Sequence, residues 1–183
     1  MDTKLVKIAE KTLLILSEKD WQAITIEEIY SKADLKKKNL NKLYNKQDLL
    51  INIIKFFDFN LNSLTSGVEK SSSKDMIFEV MMIRFDILQK YRSSIVNVFN
   101  FIKKKPQEIV FLLPAFVESI NLMANLANIS TKGLKGNLKI KGLLVIYFST
   151  FLVWTRDTSE NLDKTMISLD SNLNRAGKIV NIL

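Results

Sequence analysis

The residues best suited to chemistry lie in one basic stretch, ADLKKKNLNKLYNKQDLL, at positions 33–50. Lysines neutralise phosphate groups, and an asparagine amide can pair in a bidentate manner with the edge of an adenine base. A helix that places this stretch in the major groove would direct its lysines to the backbone and its asparagines to the bases. The candidate DNA-contacting residues are Thr25, Lys36, Lys37, Lys38, Asn39, Asn41, Lys42 and Lys46.

A second interpretation of the same stretch is a solvated basic face. Lysine, asparagine and isoleucine are common along the whole chain, a bias that often accompanies an AT-rich genome. The lysine run taken alone favours this interpretation, whereas its structural context favours DNA if the lysines point outward together. The net charge of +8 fits either kind of anionic partner, nucleic acid or anionic lipid.

Catalytic and metal chemistry have little support in the sequence. The 183 residues include no cysteine and no histidine, which excludes zinc sites built from them and Ser-His-Asp or Cys-His arrangements. Asp157, Glu160 and Asp163 lie close together, but we interpret them as the cap and first turn of the last helix, where negative charge is favourable. The segment STKGLKGN lacks the Gly-Lys-Ser/Thr ending of a phosphate-binding loop. We therefore expect neither an enzyme nor a cofactor.

The expected compartment is the cytoplasm. The N-terminal segment lacks the continuous apolar region of a secretory signal, and the absence of cysteine fits a reducing compartment. The longest apolar stretch, residues 143–154, is shorter than the roughly 20 residues that span a bilayer. It is predicted to form a buried helix.

The elements that must position the basic stretch are predicted to be helices. Apolar residues recur at helical spacing, and strand alternation is scarce. Thr25 followed by Glu28 is a capping box that starts a short helix, and Asp34 tolerates the left-handed backbone of a turn. A second short helix is predicted from Lys36 to about Leu43. Two short helices joined by a tight turn form a helix-turn-helix pattern.

The whole chain is predicted to be all-α, with about nine helices, because few glycines and prolines interrupt it. The segment Ser66–Asp75 is rich in Ser and Lys and is the clearest linker. The predicted domains are a helix-turn-helix domain at residues 1–65 and a larger helical domain for ligand binding and dimerisation at residues 66–183.

Aromatic and methionine side chains of the second half could line an apolar pocket for an apolar small molecule or lipid. Pro114 would help to open this pocket by kinking its helix. The alternative is ordinary packing in the core or in a dimer. The candidate pocket residues are Met81, Met82, Phe85, Phe111, Phe116, Met123, Phe148 and Phe151.

The last two helices are predicted to form a homodimer interface, because they carry more apolar surface than a monomer would expose. The alternative is that these side chains only close the core of one chain. A two-fold dimer would place two recognition helices about one DNA turn apart. The candidate interface residues are Leu152, Trp154, Leu162, Met166, Leu169 and Leu173.

Residues 9–50 resemble the DNA-binding domain of the TetR family of bacterial transcriptional regulators. The resemblance is carried by EKDWQAITIEEIYSKADL and LNKLYNKQDLL, in which Trp21, Thr25, Ile29 and Tyr44 match the aromatic, cap and core positions of that family. It implies a TetR-like fold and a dimeric transcriptional repressor that binds double-stranded DNA. It also implies an apolar effector in the larger domain, which would change the spacing of the recognition helices.

The second half is similar to the C-terminal region of a ubiquinone-biosynthesis accessory family, which has a TetR-like fold and binds lipids. The matching segment is VWTRDTSENLDKTMISLD. This resemblance implies an alternative function, a lipid-binding accessory protein of ubiquinone biosynthesis with a vestigial helix-turn-helix. Such a protein would make peripheral contact with an anionic membrane through a basic amphipathic surface. A third interpretation is a helical interaction protein with neither ligand.

Overall fold

The computed structural model describes residues 1–35, 45–65 and 71–180, with side chains described as far as residue 176. These ranges contain eight α-helices, one short 3-10 turn and no strand, so the all-α prediction is confirmed and the predicted count of nine is close. The predicted short helix from Lys36 to Leu43 lies outside the described residues. The helices are α1 (Thr3–Leu16), α2 (Ile26–Lys32), α3 (Lys46–Leu64), α4 (Ser73–Lys90), α5 (Arg92–Lys104), α6 (Glu108–Leu126), α7 (Gly133–Trp154) and α8 (Asp163–Val180), and the 3-10 turn is Trp21–Ala23.

The chain separates into two compact units. The N-terminal unit consists of Met1–Asn60 and Leu88–Ala115, and the C-terminal unit consists of Leu61–Ile87 and Phe116–Leu183. The N-terminal helices are therefore completed by α5 and the start of α6, which come later in the sequence. The domain boundary between residues 65 and 66 stays a prediction.

The first helix of the N-terminal unit has the buried stripe that its sequence predicts, and the second has the predicted cap and following turn. Apolar residues on one stripe of α1, such as Ile8 and Leu13, are buried, as helical spacing requires. Thr25 caps α2, because its hydroxyl accepts the backbone N–H of Glu28 at 3.2 Å. Asp34 then turns the chain with a φ of 55°, in the left-handed region that Asp tolerates better than most residues.

Helix α5 holds the C-terminal end of α1. The Ser94 hydroxyl donates to the carbonyl oxygen of Leu13 at 2.6 Å. The Asn97 amide nitrogen donates to the carbonyl oxygens of Leu16 and Lys19 at 2.9 and 2.7 Å, and its oxygen accepts the Trp21 N–H at 3.3 Å. Carbonyls at the end of a helix lack partners within that helix. α5 supplies further donors to this end of α1 from 78 to 81 residues away in the sequence.

The turn between α7 and α8 is built around the buried carboxylate of Asp157. One oxygen accepts hydrogen bonds from the backbone N–H and the hydroxyl of Ser159, at 3.0 and 2.5 Å. The other oxygen accepts from the N–H and hydroxyl of Thr165, at 2.8 and 2.7 Å. Burial raises the pKa of this carboxyl, but the hydrogen bonds from Ser159 and Thr165 outweigh burial and hold the pKa well below its usual range.

The Asp157 turn caps α8. Thr165 N–H binds Asp157, and the Asp163 N–H donates to the Ser159 hydroxyl at 2.8 Å. N–H groups in the first turn of a helix have no partner within the helix, and these side chains satisfy two of them. Asp163 lies in the first turn of α8, as the sequence predicted, and the Asp157 side chain caps that turn from six residues before the helix. No hydrogen bond between the exposed Glu160 and the described first turn is seen.

Helices α6 and α7 are each long and apolar enough to cross a membrane, with mean hydropathies of 1.7 and 1.3 over 18 residues. Only a third of each of these windows is buried in the protein. Length and composition alone do not separate a membrane span from the core helix of a soluble protein. The twelve-residue apolar stretch noted in the sequence is the C-terminal part of α7.

Candidate nucleic-acid interface and ligand region

The structure describes the two ends of the predicted DNA-reading segment. α2 and the Asp34 turn lead into it, and α3 follows it from Lys46. The Thr25 hydroxyl is engaged in capping α2. The remaining candidates, Lys36, Lys37, Lys38, Asn39, Asn41 and Lys42, lie outside the described residues.

Lys46 joins the start of α3 to the 3-10 turn. Its ammonium donates to the carbonyl oxygens of Trp21 and Gln22 at 3.1 and 3.0 Å, and lies 5.6 Å from the centre of the Trp21 ring. Burial lowers the pKa of this amine. Lys46 therefore orients the helix that follows the predicted recognition segment, whereas its contact with DNA phosphate stays a prediction.

The first turn of α3 is held from two sides. The Asp48 N–H donates to Asn45 Oδ1 at 2.8 Å, and the Asn45 N–H donates to Asp48 Oδ2 at 3.2 Å, which is the reciprocal pattern of a capping box. The Gln47 amide also donates to a carboxylate oxygen of Glu108 at 3.3 Å. A crevice of about 200 Å³ opens beside these contacts and is lined by Trp21, Asn45, Lys46, Gln47, Leu50, Phe101 and Glu108.

Asn97 is the positioning residue of this unit that the sequence analysis missed. Its three hydrogen bonds fix the end of α1 relative to Trp21, just before the predicted helix-turn-helix segment. The hydrogen-bond partners of Asn97 are all backbone groups that are distant in the sequence, so no side-chain pattern predicts these bonds. The available signal was an asparagine within the amphipathic helix SSIVNVFNFIKK, and that signal is weak.

Seven of the eight predicted pocket residues lie in the C-terminal unit, and three of them, Phe85, Phe116 and Phe148, are linked through Tyr147. Phe85 stacks on Tyr147 with ring centres 5.5 Å apart, Tyr147 meets Phe148 at 5.7 Å, and Phe148 meets Phe116 edge to face at 4.9 Å. Met81 and Met123 are buried, whereas Met82 and Phe151 are partly exposed. We call Phe85, Tyr147, Phe148 and Phe116 the aromatic cluster.

Phe111 does not join the aromatic cluster. It belongs to the N-terminal unit, and more than half of its surface is exposed. A polar pair also lies in the C-terminal unit, because the buried Arg84 directs a guanidinium nitrogen to within 3.4 Å of the Ser119 hydroxyl. Arg84 was not among the sequence candidates, although it is the only basic residue between Met76 and Gln89.

The predicted dimer residues separate into two groups. Trp154, Leu162, Leu169 and Leu173 are buried within one chain, as the alternative of closing the monomer core expects. Leu152 and Met166 remain exposed. They lie on the two helices that also expose Leu138, Val145 and Ile167. Leu138, Val145 and Leu152 follow one another at seven-residue spacing and form a stripe along α7. A groove of about 650 Å³ also runs along α8 beside Phe78, with Met166 and Ile167 in its wall.

The described residues contain no group of three or more acidic side chains placed to hold a metal ion. No family model and no curated protein sequence matches the chain. Solved structures do match, two TetR regulators among them. A TetR transcriptional regulator from Nitrosomonas europaea matches over 97% of this chain and 100% of its own, with 20% identity and a TM-score of 0.73. A TetR transcriptional regulator from Rhodococcus sp. RHA1 matches over 93% and 94%, with 14% identity and a TM-score of 0.59.

The chain therefore has the fold of TetR transcriptional regulators, and the resemblance seen in the sequence is confirmed at the level of the fold. The likeness extends over nearly the whole chain, well beyond residues 9–50 on which the resemblance was based. The similarity of the C-terminal region to the ubiquinone-biosynthesis accessory family stays a prediction.

Proposed function

We propose that this protein is a cytoplasmic, homodimeric transcriptional regulator that binds double-stranded DNA and acts as a repressor. The observation that carries the proposal is the TetR fold over 97% of the chain, together with a basic segment at the position of the helix-turn-helix. α2 is capped by Thr25, the chain turns at Asp34, and α3 begins at Lys46. The intervening residues supply the lysines and asparagines that DNA recognition requires.

The effector in this proposal is an apolar small molecule or lipid that binds the C-terminal unit. The aromatic cluster and the methionines of the same unit offer adaptable apolar contacts. An effector that binds one of two dimer conformations more tightly would shift the equilibrium between DNA-binding and released states. The protein acts by binding in this proposal and not by catalysis.

The proposal predicts site-selective DNA binding. Purified protein mixed with genomic fragments at about 150 mM salt should retain one or a few sites with inverted half-sites, identified by sequencing. The variant Lys37→Ala/Lys38→Ala should lose roughly 30-fold in DNA affinity across all sequences. The slope of log affinity against log salt concentration should fall by the amount expected for about two phosphate contacts. Asn39→Ala or Asn41→Ala should weaken the preferred site by about 1–3 kcal/mol relative to other sequences.

The matched control is Lys132→Ala/Lys135→Ala, which removes the same charge from exposed positions at the start of α7. This control should bind the selected site as the wild type does. Uniform recovery of the genome, or equal losses for both lysine pairs, would show that the basic segment is only a charged face.

A charged residue in the proposed dimer interface should separate the subunits. The double variant Leu152→Glu/Met166→Glu places two carboxylates from each subunit in the proposed interface. The dissociation constant of the dimer should rise at least 100-fold, because unpaired buried charge is costly. Analytical ultracentrifugation at several protein concentrations measures this change. Leu14→Glu alters a comparably exposed leucine of the N-terminal unit and should leave the dimer intact. A double variant that remains dimeric would place the interface elsewhere.

A further inference from the structure

The beginning of α6 exposes a continuous apolar surface. The exposed fractions are 38% for Ile109, 65% for Val110, 55% for Phe111 and 42% for Leu113. At about 100° per residue these side chains, with Pro114, fill one arc of the helix centred on Val110. Leu112 and Ala115 point the other way and are buried. The solvent-facing side of the first two turns of α6 therefore carries no polar side chain.

A run of three exposed lysines lies immediately before this apolar arc. Lys103 and Lys104 end α5 and Lys105 follows directly, so that only the exposed Pro106 and Gln107 separate this run from α6. The ammonium groups of Lys103 and Lys105 lie 5.0 and 5.7 Å from the rings of Phe99 and Phe101. The one acidic residue between Lys103 and Ala115, Glu108, is partly buried and accepts a hydrogen bond from Gln47. Positive charge therefore dominates this edge of the arc.

We propose that Lys103–Lys105 and the apolar arc of α6 form a docking surface for a membrane that contains anionic lipids. Helical segments that bind at a lipid interface combine lysines with exposed apolar and aromatic side chains, which enter the boundary between headgroups and acyl chains. Here the lysines would meet the headgroups while Val110 and Phe111 enter the boundary. Each lysine near an anionic surface strengthens binding roughly fivefold.

The chemistry of the surface favours a membrane over other occupants. DNA phosphates would engage the lysines but would leave the apolar arc in water. A second copy of the chain packed on the arc would cover its apolar side chains but would give the lysines no anionic partner. In a parallel pairing about a two-fold axis the two lysine runs would also face each other, and like charges in an interface are unfavourable. Only a surface that is both anionic and apolar matches the whole region.

The test is sedimentation of the full-length protein with vesicles of phosphatidylcholine containing phosphatidylglycerol, and with vesicles of phosphatidylcholine alone. We expect binding to the anionic vesicles and at least tenfold weaker binding to the neutral ones. Val110→Ser/Phe111→Ser should lower the affinity for anionic vesicles at least tenfold, because it removes the inserted side chains. Lys103→Gln/Lys104→Gln should lower it roughly 25-fold.

Two controls keep other properties constant. Lys4→Gln/Lys7→Gln gives the same net charge as the α5 lysine variant by changing two exposed lysines of α1, and Leu14→Ser removes an apolar side chain that is 48% exposed. Both controls should bind vesicles as the wild type does. Circular dichroism should show that every variant remains folded.

Four outcomes would overturn the proposal. They are no vesicle binding by the wild type, undiminished binding by Val110→Ser/Phe111→Ser, equal losses for the two lysine pairs, and a change of oligomeric state confined to the serine variant. The last outcome would identify the arc as a contact between copies of the chain. The vesicle test is independent of DNA binding, so its result does not depend on the regulator proposal.

Discussion

Replacing Asp157 with alanine is expected to lower the free energy of unfolding by about 3–4 kcal/mol. The substitution leaves four donors without their acceptor, two from Ser159 and two from Thr165. The Thr165 groups are buried, so water does not readily replace the carboxylate. The start of α8 would lose its cap, and Leu169 and Leu173 of that helix pack in the core. Urea unfolding at fixed protein concentration, followed by circular dichroism, measures the loss.

The Asp157 contribution should also depend on pH. The folded-state pKa lies below the ordinary value of 3.8, so the carboxylate contributes its full stability above that value. This contribution is lost as the pH falls through the unfolded and then the folded pKa. The difference in unfolding free energy between wild type and Asp157→Asn should therefore be largest near neutral pH and should shrink below about pH 4.

Glu160→Gln is the matched control for Asp157→Asn, because it makes the same charge change at an exposed position of the same turn. It should alter the unfolding free energy by less than about 0.5 kcal/mol. If Asp157→Asn were equally mild, or if its effect were the same at pH 3 and pH 7, the carboxylate would not hold the turn.

A fragment of residues 1–65 is expected to remain largely unfolded, although it contains the whole predicted helix-turn-helix domain. It lacks α5 and therefore lacks Ser94 and Asn97, which bind the carbonyls at the end of α1. It also lacks the aromatic side chains of Tyr91 and Phe101, which pack on Phe57 and Trp21. Circular dichroism of the fragment should show little cooperative unfolding on heating. A sharp transition would support the domain boundary at residue 65.

The same packing can be tested in the intact chain by Asn97→Ala. This variant removes three hydrogen bonds to backbone groups and should lower the unfolding free energy by about 2–3 kcal/mol. The control is Asn60→Ala, which removes one hydrogen bond within α3, from the Asn60 amide to the carbonyl of Phe56. It should lower the unfolding free energy by less than about 1 kcal/mol. Equal effects would mean that Asn97 does not position α1.

Sequence patterns predicted those features that depend on neighbouring residues. Helical spacing identified α1, the Thr25–Glu28 pair identified the cap of α2, and an aspartate in the turn matched the positive φ of Asp34. Each of these is decided within about four residues of chain. The all-α fold and the TetR resemblance follow from such local signals.

Contacts between distant residues could not be predicted in this way. The bonds from Asn97 to α1 join residues separated by about 80 positions, and nothing in either segment specifies its partner. Lys46 was assigned to DNA from its charge, yet the structure directs its ammonium to two carbonyls. Trp154 looked like an interface residue because it is large and apolar, but the same properties suit the core, where it is buried.

The completion of the N-terminal unit by α5 also sets an order of events during synthesis. The ribosome makes α1, α2 and α3 first, but the carbonyls at the end of α1 acquire Ser94 and Asn97 only after α5 has emerged. At about 5–20 residues per second, the 40 residues from the end of α3 to the end of α5 take roughly 2–8 seconds. During that interval the nascent helices expose apolar surface, which is the kind of exposure that makes partly made chains prone to aggregation.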